Sequence, residues 1–127
     1  MKRSAAALAA LLPAVVALAQ APRPDDCEAP SEYKVIEQCG WAESEKLEVQ
    51  LNTEYGKLMS VVRIKRTDVV DMGRSQKAWL AYRDASCAYW SSRVRYQVPW
   101  CRVELTRARI KQLLHMRECE QEGGGKC

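Results

Sequence analysis

Residues 47–62 read LEVQLNTEYGKLMSVV, and the placing of their apolar side chains decides the fold. Leu47, Leu51, Tyr55, Leu58 and Val62 follow one another at spacings of 4, 4, 3 and 4, which lines them along one face of a helix. The turns before the stripe are acidic (Glu43, Glu45, Glu48), and basic side chains gather after it (Lys57, Arg63, Lys65, Arg66). That order complements the helix dipole at both ends and predicts a helix from about Trp41 to about Arg66. On its N-terminal side, Ser31 is placed to cap a separate short helix through about Gln38, with Tyr33, Val35 and Ile36 apolar. Earlier still, residues 20–30 contain Pro22, Pro24 and Pro30 and suit an extended lead-in.

On the C-terminal side, Asp68 resembles a new helix cap, with Asp71 three residues later. A second helix then carries Met72, Gln76, Trp79, Arg83, Cys87 and Trp90 along one stripe, two of them polar. The periodicity fails from Arg93 to Val98. Pro99 suits the first position of a third helix, which runs through Leu105, Ile110, Leu113 and Leu114 to about Glu120 and ends at Gly123-Gly124-Gly125. Strand-like alternation and internal repeats are absent. The expected fold is all-α: a small, disulfide-stabilised antiparallel three-helix bundle over residues 31–122, with a short N-terminal helix and a glycine-rich tail at 123–127.

A chain of 127 residues allows one domain. Its first 19 residues read as a secretory signal peptide: Met1-Lys2-Arg3, an apolar run from Ala5, then Ala17-Leu18-Ala19. Cleavage there leaves 108 residues with 18 basic and 16 acidic side chains, a net charge of +2. The expectation is a periplasmic or secreted protein with no membrane anchor after cleavage, and near-neutrality argues against nucleic acid as a partner. Six cysteines, at 27, 39, 87, 101, 119 and 127, then read as a disulfide framework. No Cys-x-x-Cys suggests redox catalysis, and His115-x-x-x-Cys119 with distant Cys127 is a poor zinc site. Neither a Gly-x-Ser-x-Gly elbow nor a glycine-rich loop before a helix occurs, so no catalytic residue, cofactor or metal is expected.

The informative polar residues sit on or beside the apolar stripes. Asn52, Gln76, Arg83 and Arg109 fall at positions expected to be buried or half-buried. Polar groups there must bond to one another or cost roughly 1–3 kcal/mol each. Arg83 and Asp84 are within reach of Thr106 and Arg109 on a neighbouring helix, which predicts a structural network of these six side chains. Tyr55 and Trp79 read as core residues.

Three segments together, LNTEY (51–55), QKAWLAYRDASC (76–87) and CRVELTRARIKQL (101–113), give the chain a family resemblance. From roughly Cys27 to Met116 it resembles the lysozyme-inhibitor LprI-like N-terminal domain family. The resemblance implies an exported bacterial all-α domain whose best-known member inhibits lysozyme, so the implied partner is lysozyme or a related glycosidase. The competing function is a structural or stress-related envelope protein with another partner. An inhibitor must present something to a cleft that holds two carboxylates. Arg93, Arg95, Tyr96 and Trp100, in the connection between the second and third helices, are the expected contact residues, since Arg, Tyr and Trp dominate binding hot spots. The plainer reading is an ordinary turn with solvated arginines. The acidic face of Glu43, Glu45 and Glu48 is the alternative surface.

In an up-down-up bundle Cys87 and Cys101 lie at the same end, which favours a local bond between them. Cys27 and Cys39 bracket the short N-terminal helix, an arrangement similar to that in relatives of the family, and Cys119 with Cys127 remain. The rival scheme joins Cys39 to Cys87 or Cys101.

Overall fold

The computed structural model describes residues 21–64 and 69–123. A single 3-10 turn, Pro24–Cys27, precedes three helices: α1 (Tyr33–Ile64), α2 (Val69–Ala88) and α3 (Gln97–Gln121). Among the described residues there is no strand. The expected signal peptide, the Asp68 cap, Cys127 and most of the glycine-rich tail lie outside the described residues.

Three contacts fix the direction of α3 against α1. Trp100 donates to the Ile36 carbonyl, Arg107 to Glu43 and Arg117 to Glu54, at sequence separations of 64, 64 and 63. A nearly constant offset means that the two helices run parallel in one register. On α2, by contrast, Gln76 pairs with Arg109 and Asp84 with Arg102, so residue numbers fall on α3 as they rise on α2. The bundle is therefore up-down-up, with each helix antiparallel to its neighbour in sequence.

The expected start of the first long helix needs correction. The short N-terminal helix and the long one are a single helix, α1, of 32 residues. Cys39-Gly40 looks like a break because glycine weakens a helix interior by up to about 1 kcal/mol relative to alanine. Here the glycine is the point of closest approach of α3. A Cβ at Gly40 would lie 2.8 Å from Cγ of Pro99 and 3.0 Å from Nε1 of Trp100. Its absence lets the indole reach the Ile36 carbonyl at 3.1 Å. Cys39, next to it, is tied to Cys27 in the lead-in, with Cα atoms 5.6 Å apart. Pro99 also shifts from its expected place: it is the third residue of α3, still within the first turn, where a missing N–H breaks no helical bond. At the other end of α3, Gly123 takes φ +94°, the left-handed conformation that stops a helix and that glycine adopts without strain.

The apolar core belongs to α1 and α3. Leu47, Leu51, Leu58 and Val62 from α1 meet Val103, Ile110 and Leu113 from α3. From α2 come Val69, Met72, Trp79 and Leu80, packed at the edge of this cluster and only partly buried. The residues that α2 buries are Gln76, Arg83 and Cys87. Trp90, expected on the α2 stripe, lies beyond the end of that helix, exposed and edge-on to Tyr89. Thus α1 and α3 are held by hydrocarbon, while α2 is seated mainly on polar groups.

Candidate partner-binding surface

The seat of α2 is built around two guanidinium groups. Arg83, 3% exposed, sends Nη1 to Oε2 of Glu48 on α1 at 2.6 Å and to the Thr106 hydroxyl on α3 at 3.3 Å. Its Nε donates to Asp84 Oδ1 at 3.0 Å, and Asp84 in turn accepts from Arg102 Nη1 at 2.6 Å. Arg109 on α3 reaches back to α2, donating from Nε to Gln76 at 3.0 Å and from Nη2 to Ser75 at 3.5 Å. Both guanidinium carbons lie over the ring of Trp79, 5.2 Å and 5.7 Å from its centroid. Burial pushes the Arg109 pKa down, but from so high a value that the group stays charged. This network joins all three helices around one aromatic ring.

Five of the six side chains expected there are in it, and the sixth is not. Asn52 is exposed. One residue after Leu51, it is rotated about 100° away from the α1 core stripe. Glu48, expected on an acidic surface, takes its place as the α1 member. The links also differ: Asp84 meets Arg102 rather than Arg109.

A buried carboxylate, Glu54, escapes any reading of charge patterns. Glu54 on α1 accepts from Lys57 at 2.7 Å and from Arg117 at 2.5 Å. Its only signal in the sequence is its position three residues after Leu51 and four before Leu58, on the core side of α1. The Lys57 hydrogen bond, opposed by burial and aided by the charges of Lys57 and Arg117, holds its pKa below the ordinary carboxylate value.

The connection between α2 and α3 has a different character. Cys87 and Cys101, with Cα atoms 5.5 Å apart, close its base. Arg95 is 82% exposed, and its Nε donates to Glu37 at 3.2 Å. Arg93 is exposed too, lying 3.9 Å from the centroid of the exposed Tyr89 ring. Of the other two expected contact residues, Tyr96 stacks on Tyr33 at 5.0 Å and fastens the start of α1 to the start of α3. Trp100 is half-buried, in the first turn of α3, with its N–H on Ile36. It serves the α1–α3 contact, because Gly40 leaves room for the ring. The projecting groups are therefore Arg93 and Arg95, with Tyr89 and Trp90 before them.

The acidic alternative is largely neutralised. Glu43 is held by Arg107 at 2.7 Å with Lys46 at 3.8 Å, and Glu48 is taken by Arg83. Among the described residues no group of three His, Cys, Asp or Glu side chains is placed to hold a metal ion, and no helix is long and apolar enough to cross a membrane.

A family described as lysozyme inhibitor LprI matches residues 27–113. The chain belongs to this family. The LprI match starts at Cys27, spans both disulfides of the described residues and the whole Arg83–Arg109 network, and ends at Leu113, before Cys119. No curated protein and no solved structure matches the chain. The LprI segment thus coincides with the part of the bundle that the two described disulfides and the polar seat of α2 hold together.

Proposed function

We propose that the protein is an exported inhibitor of lysozyme that blocks the enzyme with the connection between α2 and α3. Membership of a family of lysozyme inhibitors supports the class of activity. Export is supported by the charged and apolar start of the chain and by its disulfides, which persist in oxidising compartments. The observation that carries the choice of surface is Arg95: a guanidinium projecting into solvent from a segment whose two ends are cross-linked. A lysozyme cleft holds two carboxylates, to which a guanidinium is complementary. A segment already closed by a disulfide loses less freedom on binding.

The test is a lysozyme assay with the oxidised protein and its Arg93→Ala/Arg95→Ala variant, accompanied by thermal melts. Exposed ion pairs contribute little to stability, so the melting temperature should hold while inhibition weakens by about tenfold or more. Unchanged inhibition by the folded variant would clear this segment. Export is checked by intact mass, which should show a mature chain beginning at Gln20.

A further inference from the structure

The same connection folds across the first turns of α1 and leaves a cleft of about 380 Å³. Glu37 and Trp41 of α1 form one side, Ser91 and Arg95 of the connection the other, with Val98 of α3 completing the wall. Trp41 is the unexplained member. It is 39% exposed, although Cys39, Gly40 and Ser44 around it on α1 are buried. It takes no part in the apolar cluster that holds α1 to α3. Among the described residues, the fold's one contact to this indole is the Arg102 guanidinium, 6.0 Å from its centroid and bonded to Asp84. A large ring is thus kept at the wall of a cleft without contributing to the core.

The polar groups around it define a ligand class. Glu37 and Arg95 are paired, so the rim carries both signs and no net charge. An anion would meet the Glu37 carboxylate, and a cation would meet the Arg95 guanidinium. The Arg95 bond to Glu37 uses Nε, and the exposed Nη groups still have N–H donors to offer. The Ser91 hydroxyl donates to the Ala88 carbonyl at 2.7 Å and keeps its lone pairs for accepting. An electron-rich aromatic face beside a neutral rim of donors and acceptors complements a pyranose, which has C–H groups on its faces and hydroxyls around its edge. We infer that this cleft binds a neutral sugar ring of an oligosaccharide, stacked on Trp41 with its hydroxyls on Glu37, Arg95 and Ser91. This binding shares Arg95 with the inhibitory reading but needs no lysozyme and goes beyond that reading.

The experiment is an NMR titration of the 15N-labelled oxidised protein, without enzyme, using chitotriose, cellotriose and maltotriose as probes. At least one should produce saturable shifts of the Trp41 indole N–H and the Arg95 Nε–H below about 10 mM. Trp41→Ala should weaken that binding by about tenfold or more, Trp41→Tyr should largely restore it, and Arg95→Met should weaken it with Trp41 intact. Three results would overturn the inference: no saturable shift with any of the sugars, shifts confined to Tyr89 and Trp90, or binding that survives Trp41→Ala. Selective binding of an anionic ligand such as sulfate, in place of the sugars, would overturn it as well. Because lysozyme is absent, failure here leaves the inhibition assay untouched, and failure of inhibition leaves this titration untouched.

Discussion

Arg83 and Glu54 show how a single buried charge is handled in so small a bundle. Arg83 satisfies its guanidinium with one group from each helix, but Glu48 and Asp84 keep part of their carboxylates in water, 37% and 54% exposed. Replacing Arg83 with Met should therefore cost about 2–3 kcal/mol, less than the usual loss when a buried pair is broken, because both acids can rehydrate. Urea unfolding measures it, and a loss under about 1 kcal/mol would mean that the network does not seat α2. Glu54 gives a pH signature. Its pKa is depressed in the folded state, so its contribution is present above the unfolded value and is lost as pH falls through the folded one. The stability gap between the protein and its Glu54→Gln variant should be full near pH 6 and shrink below about pH 4. A gap that stays constant down to about pH 3 would show that Lys57 and Arg117 do not stabilise the ionised form.

At the scale of elements, the strongly periodic stretches were legible and the junctions between them were not. The spacing of Leu47, Leu51, Leu58 and Val62 announces α1 because these side chains meet hydrocarbon on α3, and burial on one face is what periodicity records. The junction placed between Gln38 and Trp41 was illegible for the converse reason. A glycine at a close helix–helix contact and a glycine at a helix end have the same sequence signal, and the difference lies in residues about 60 positions away, Pro99 and Trp100. The candidate contact residues divide in the same way: Arg93 and Arg95 project as their chemistry suggests, while Trp100 turns inward to a partner that no local pattern reveals. Gly40→Ala measures this contact directly. The alanine gains about 1 kcal/mol of helix propensity. Overpacking typically costs about 1–3 kcal/mol and must here also displace the indole from the Ile36 carbonyl. A net loss of about 1–2 kcal/mol is expected, with the Trp100 indole N–H shifted in NMR spectra. A variant more stable than the parent would show that α3 does not press on this point.

For the whole molecule, the division between a hydrocarbon-held pair and a polar-seated third helix has consequences for dynamics and for binding. Helices α1 and α3 share the buried leucines and valines, so their central amides should open only with global unfolding. α2 buries Gln76, Arg83 and Cys87, and its C-terminal end is fastened to α3 through Cys87–Cys101. Closing a segment of sequence separation 14 stabilises the fold by up to roughly 3 kcal/mol through the unfolded chain. In the native state the same bond carries a local burden, because it restrains the end of α2 and with it Arg93 and Arg95. Replacing both cysteines with alanine should therefore do more than lower the melting temperature. Hydrogen exchange in the double variant should accelerate selectively from about Leu80 to Ala88 and through the connection, with the centres of α1 and α3 slowed or quickened only as global stability dictates. Inhibition, if it depends on a preorganised Arg95, should weaken more than the folded fraction does. A uniform loss of protection across all three helices would instead mean that the bundle opens as one unit, and that the disulfide acts on overall stability without holding the proposed binding surface in place.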